Sequence, residues 1–231
     1  MAADGGSSLM DWQALVLSLE LAILTTLILL PVGLLCGRAL AYGRFRGRAL
    51  VEALILLPLV MPPTVLGFYL LTGLAATGPA GQLWQALTGG TLAFSFSGLV
   101  LASVIVNLPF AIQPAQNAFE AIPRDLREAA ACCGMSPLQA VRRVELPLAW
   151  PGILTGLIMS FAHTLGEFGV VLMVGGSIPG ETRTLAIAIY DRTQALDMRA
   201  AGTMATALML ISILTVSTTL LLSRRNRRRH V

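Results

Sequence analysis

Ser160, His163 and Glu167 follow one another at intervals of three and four residues. On a helix that spacing places them on one face. A hydroxyl, an imidazole and a carboxylate can serve as nucleophile, base and orienting group, so an intramembrane hydrolase is one reading. A His and a Glu four apart can also share a metal ion, but the third ligand of a metal site is missing. No Gly-x-x-x-x-Gly-Lys-Ser/Thr loop occurs, so the chain brings no phosphate cradle for ATP. Cys36, Cys132 and Cys133 are odd in number and two are adjacent, which fits neither a disulfide framework nor metal-ligand spacing. They read as small apolar residues.

Glu167 also stands in an apolar run, where a carboxylate costs about 2.5–3.5 kcal/mol on insertion scales. It must be well paired or functional. As a ligand for an anion it is poor, because like charges repel. Two readings stand. In one, Glu167 accepts bonds from backbone N–H or hydroxyl donors and holds a bend between Gly166 and Gly169, with His163 as a partner. In the other it is a gate element.

The elements that position these groups belong to lipid. The chain has 231 residues, 55% hydrophobic and only 12% charged, with a mean hydropathy of +0.76. A soluble domain carries about 25% charged residues. Five apolar runs reach the roughly 20 residues that a bilayer crossing requires. They lie at about 12–37, 50–76, 92–119, 148–174 and 202–222, in a single domain over 1–231. The predicted fold class is all-α, a polytopic membrane protein of five transmembrane helices.

All 16 basic residues are Arg, and they gather between the apolar runs. Thirteen of them fall on one face of a five-span topology: Arg38, Arg44, Arg46 and Arg48; Arg124, Arg127, Arg142 and Arg143; and Arg224, Arg225, Arg227, Arg228 and Arg229. Only Arg183, Arg192 and Arg199 fall on the other. The positive-inside rule then places the N-terminus outside and the C-terminus in the cytoplasm. The acidic start, Asp4 and Asp11, lacks the basic region of a signal peptide and reads as a short outer tail. The Arg-rich end reads as an anchor on anionic headgroups rather than as a nucleic-acid patch.

Prolines punctuate the spans: Pro31 in the first, Pro58, Pro62 and Pro63 in the second, Pro109 and Pro114 in the third. Each removes a backbone donor, and broken helices in a membrane are tolerated beside protein or a water-filled cavity. The breaks therefore point to a transporter. Thr64, Asn107 and Gln113 are uncharged polar groups beside breaks. They read either as pathway residues, which pass an anion without trapping it, or as helix–helix hydrogen-bond partners.

The inner loop, 122–147, reads as two short helices at the membrane surface. Pro123 and Asp125 suit a helix start, and Leu126, Ala129, Ala130 and Cys133 make one apolar stripe. Gly134 suits a stop. Ser136, Pro137 and Gln139 form a capping-box pattern for a second helix ending at Leu146 and Pro147.

The run Glu128-Ala129-Ala130, then Gly134, then Val144, Leu146 and Pro147 resembles the EAA motif of ABC importer permeases. The only departure is Val144 in place of Ile, which keeps the β-branched apolar character. The resemblance implies a MetI-like ABC importer permease fold whose cytoplasmic loop is a coupling helix docked on a separate ATPase. It assigns that coupling to Arg127, Glu128, Ala129, Ala130, Gly134, Leu146 and Pro147.

A second resemblance covers nearly the whole chain. Pro58-Leu59-Val60-Met61-Pro62-Pro63-Thr64-Val65-Leu66-Gly67, Gly166-Glu167-Phe168-Gly169 and Pro179-Gly180-Glu181-Thr182-Arg183-Thr184 resemble the corresponding runs of molybdate permeases. The middle run also resembles sulfate-type permeases, and tungstate is not separable from molybdate by size or charge. This resemblance implies a transport subunit of the bacterial inner membrane rather than an enzyme. It implies two copies of the chain, two cytoplasmic ATPase subunits that carry the ATP and Mg, and an external oxyanion-binding protein. The chain itself would bind no cofactor. Candidate pathway and gate residues are Pro62, Pro63, Thr64, Asn107, Gln113, Gly166, Glu167 and Gly169.

Overall fold

The computed structural model describes residues 9–227. Asp4, Arg228 and Arg229, assigned above to the two tails, lie outside them. Among the described residues the structure is helical throughout, without a strand. In chain order the helices are α1 (Trp12–Tyr42), α2 (Arg48–Val60), α3 (Pro63–Leu74), α4 (Pro79–Thr88), α5 (Phe96–Glu120), α6 (Arg124–Cys132), α7 (Pro137–Ala140), α8 (Leu146–Gly166), α9 (Gly169–Gly175), α10 (Leu185–Gln194) and α11 (Met198–Arg227). A π-helical turn, Val141–Glu145, joins α7 to α8.

Four helical stretches are long and apolar enough to cross a membrane: Trp12–Tyr42, Phe96–Glu120, Pro137–Gly166 and Met198–Thr218. The bent pair of α2 and α3 makes a fifth if it counts as one span. The run at 50–76 is thus two helices, parted at Met61 and Pro62, whose ψ angles of 140° and 134° are extended. The run at 148–174 is also divided, into α8 and α9.

Four expected interruptions do not occur. Pro31 lies inside α1, Pro58 inside α2, and Pro109 and Pro114 inside α5, with the helix continuing past each. A lone interior proline removes one rung of the ladder, and the flanking rungs carry the helix on. The pair Pro62-Pro63 is different: each restricts the residue before it to extended backbone, so the helix must stop. The second short helix of the inner loop is not separate from the fourth span either, because α7 flows through the π turn into α8.

The chain forms two compact units. One takes in residues 9–24, Pro62–Ser103 and Ala162–Leu214. Its core holds Leu21, Leu99, Val171 and Ile187, and a second cluster of Ala14, Leu185, Ala188, Ala200 and Met204. The buried Ser18 hydroxyl accepts from the Leu185 N–H at 2.8 Å, which fixes the start of α10 on α1.

The other unit takes in Thr25–Met61, Val104–Phe161 and residues 215–227. Ala115, Phe119, Ile122, Ala149 and Ile153 form its core. Here α5 packs tightly against both α1 and α8. A β-carbon at Gly37 would come within 2.8 Å of the Ala115 β-carbon, and one at Gly156 within 2.8 Å of the Phe110 carbonyl oxygen. Small residues let membrane helices approach this closely, which maximises dispersion contact where lipid supplies no hydrophobic drive.

Candidate coupling loop and helix-break site

The inner loop is built by local backbone chemistry. Pro123 stands just before α6, in extended conformation, rather than at its first helical position. Asp125 lies in the first turn, where a carboxylate complements the helix dipole. At the far end Gly134 adopts φ +72°. Its N–H donates to the Ala131 carbonyl at 3.0 Å, and the Met135 N–H donates to Ala130 at 3.1 Å. These two bonds close α6 in a Schellman arrangement that needs a left-handed residue. In α7 the Ser136 hydroxyl accepts from the Gln139 N–H at 3.4 Å, and the Gln139 side chain accepts from the Ser136 N–H at 2.9 Å.

The two faces of α6 differ. Ala130 is buried, while Glu128 and Ala129 are exposed. Leu126 is 45% exposed and Leu138, on α7, 66%. The expected stripe of Leu126, Ala129, Ala130 and Cys133 is therefore covered only at Ala130 in this chain. Leu146 is half-buried and Pro147 exposed.

Arg127 turns inward. Its guanidinium lies 3.7 Å from the centroid of the Tyr42 ring, and its Nε is 3.7 Å from Glu145 Oε1. Glu145, in the π turn, has a side chain only 4% exposed. Arg38 holds it through Nε at 2.6 Å and Nη2 at 3.4 Å. The Tyr42 hydroxyl in turn donates to the Phe119 carbonyl at 3.0 Å. The end of α1, the end of α5, α6 and the π turn are thereby joined around one carboxylate. Sequence reasoning missed Glu145. Its signal was an acid inside the motif's Val-x-Leu-Pro end, flanked by apolar residues.

In the other unit, α3 packs along α9. A β-carbon at Gly169 would lie 2.7 Å from the Pro63 β-carbon, so the starts of α3 and α9 touch. Pro62 caps α3, Pro63 is its first residue, and Thr64 follows, exposed. Glu167 sits in the gap between α8 and α9. Its Oε1 accepts from the Val170 N–H at 2.9 Å, and its Oε2 lies 3.7 Å from His163 Nε2. The carboxylate thus satisfies a first-turn donor of α9 that has no partner within that helix. Gly166 is exposed beside it. Nearby, the Thr182 hydroxyl donates to the Gly175 carbonyl at 2.6 Å and accepts from the Ile178 N–H at 3.1 Å. Arg183 lies 3.3 Å from Asp191 and 3.7 Å from Asp11.

Pro63 and Gly169 are therefore brought together, with Glu167 two residues before Gly169. Asn107 and Gln113 belong to the other unit. Asn107 is fully buried in α5, and Gln113 is exposed and lines a hollow with Glu52, Gln116 and Asn117. Ser160 is fully buried and donates to the Gly156 carbonyl at 2.9 Å.

Comparison with known proteins adds the decisive observation. Residues 29–230 match the family model of the binding-protein-dependent transport system inner membrane component. The chain belongs to that family. It is a transport subunit with several spans in the inner membrane, and the hydrolase reading of Ser160, His163 and Glu167 falls. The molybdenum transport system permease protein ModB of Azotobacter vinelandii is 50% identical over 204 residues, covering 88% of this chain and 90% of that protein. A bacterial ABC transporter that imports the acidic polysaccharide alginate has a similar fold, with a TM-score of 0.75 and 19% identity over 94% of this chain and 80% of that one. The MetNI methionine ABC transporter, in inward-facing form, gives a TM-score of 0.65 and 21% identity over 93% of each chain. The family's fold is the all-α, MetI-like importer fold.

Proposed function

We propose that this chain is the permease subunit of an ATP-driven importer of molybdate. The observation that carries the reading is the 50% identity, over 88% of the chain, to a molybdenum permease. Two copies enclose the pathway. A binding protein delivers the dianion from outside, where the N-terminus lies. Two ATPase subunits dock from the cytoplasm and carry the ATP and Mg, while this chain binds no cofactor.

The exposed Leu126, Glu128, Ala129 and Leu138 supply the ATPase with a small, largely apolar docking face. Arg127 acts from behind it, tying α6 to Tyr42 and Glu145. Movement of the ATPases then reaches the spans through that cluster. At the other break, the helix starts at Pro63 and Gly169 form the gate, with Glu167 holding the α9 end. A capped carboxylate presents its lone pairs to a backbone donor rather than to a passing anion. The exposed Thr64 and Gln113 provide uncharged donors along the pathway, so the dianion is passed on and not trapped, while the buried Asn107 serves helix–helix hydrogen bonding.

Uptake by proteoliposomes tests this. The permease is co-reconstituted with its ATPase and supplied with binding protein, ATP and labelled molybdate, tungstate or sulfate. ATP-dependent accumulation of molybdate with sulfate excluded is the expected result. Accumulation of sulfate alone keeps the importer and removes the molybdate assignment.

A further inference from the structure

The run Pro179-Gly180-Glu181-Thr182-Arg183-Thr184 folds back onto the far end of α9 through one side chain. A helix leaves its last four carbonyls without an internal donor. In α9 three of them find one: Leu172 from the Gly176 N–H at 2.9 Å, Val174 from the Phe94 N–H at 2.9 Å, and Gly175 from the Thr182 hydroxyl at 2.6 Å. Thr182 is fully buried, and its oxygen also accepts from the Ile178 N–H at 3.1 Å. The Ile178 carbonyl in turn accepts from the Thr182 and Arg183 N–H groups at 3.0 and 3.1 Å. A single hydroxyl thus ties a closed loop to the helix. The loop itself is exposed from Ser177 to Glu181, and Ser177 and Arg183 both reach Asp191, at 2.9 and 3.3 Å.

The opposite end of α9 is the contact of Gly169 with Pro63, where Glu167 caps Val170. The helix between has seven residues, about 10 Å at 1.5 Å per residue. A helix this short is set by what holds its ends, not by its own propensity. A β-carbon at Gly175 would come within 3.1 Å of the Thr182 β-carbon, so loop and helix meet without slack. Valine has the shape of threonine but can neither donate to Gly175 nor accept from Ile178. We propose that Thr182 is a positioning residue for transport, a latch that carries a load on the exposed loop through α9 to Gly169 at Pro63. The load is the docked binding protein, so the latch rests on the import function proposed above, which puts this loop on the outer face.

Hydrogen–deuterium exchange of the full-length permease with its ATPase in nanodiscs, without binding protein or substrate, reads the latch directly. Thr182→Val strands a buried carbonyl and N–H, and exchange is expected to rise by roughly fivefold or more both in the loop and at the Val170 end of α9. Thr182→Ser keeps the hydroxyl and should exchange like the wild type. A rise confined to the loop, or an equal rise in the Ser variant, overturns the proposal. Uptake by the reconstituted complex then reads its use. Thr182→Val is expected to lower the maximal rate of ATP-dependent molybdate uptake by roughly fivefold or more, with the half-saturating concentration of binding protein unchanged and Ser restoring the rate. A raised half-saturating concentration at full maximal rate would make Thr182 part of a docking surface and overturns the latch. Absence of uptake by the wild-type complex sinks the importer reading instead, and the exchange result still decides whether the loop and the Gly169 end of α9 move together.

Discussion

Arg38 and Glu145, 107 residues apart, meet through two side-chain contacts of 2.6 and 3.4 Å. The carboxylate is almost wholly buried, whereas Arg38 is 37% exposed. Removing one partner of a buried pair strands the other at about 3–5 kcal/mol. Partial exposure of Arg38 lowers that figure, so Arg38→Ala should destabilise by about 2 kcal/mol. Thermal unfolding of the detergent-solubilised chain measures the loss. In a double-mutant cycle with Glu145→Gln the two effects should be strongly non-additive; additive losses would mean the contact contributes nothing.

Gly134 meets nothing within 4 Å of where a β-carbon would stand, yet its φ is +72°. A substitution there is strained by its backbone alone, at about 1–2 kcal/mol for an ordinary L-residue. Gly134→Ala should loosen the end of α6 and reduce co-purification of the partner ATPase. Gly134→Asn, which tolerates the left-handed region better, should lose less. An Asn variant as poor as Ala would mean that left-handed strain is not what sets the loss.

Glu167→Gln keeps an oxygen for the Val170 N–H, while Glu167→Ala removes it. Losing such a cap costs about 1 kcal/mol. If capping is its role, Gln should sustain ATP-dependent uptake and Ala should reduce it. Equal loss in both variants would show that the negative charge itself matters.

Gly169→Ala drives a methyl group to 2.7 Å from the Pro63 β-carbon, part of a ring that cannot rotate away. Overpacking of this kind costs about 1–3 kcal/mol. Uptake should fall with ATPase association intact, because the inner loop is untouched. Weakened ATPase association in this variant would contradict a local effect.

Much of this could be read before any coordinates. Apolar runs mark the spans because lipid selects for them, and Pro62-Pro63 marks a helix end because two successive rings force extended backbone. The break at Glu167 was legible from a carboxylate placed where it must find donors. Pro31, Pro58, Pro109 and Pro114 misled, since a proline's presence does not say whether the neighbouring rungs hold. The helices α4 and α10, ten residues each, lay in stretches too short and too polar to stand out. Glu145 carried a local signal that was missed, but its pairing with Arg38 was illegible: the two are 107 residues apart, and no local pattern announces that they meet.

The joining of α7 to α8 has a mechanical corollary. Pro137–Gly166 is one helical stretch of 30 residues, about 45 Å long at 1.5 Å per residue. Nine residues beyond Ser136, and still within that stretch, Arg38 clamps Glu145. A push applied at Ser136 therefore runs along unbroken helix into the clamp at Glu145 before it reaches the span itself.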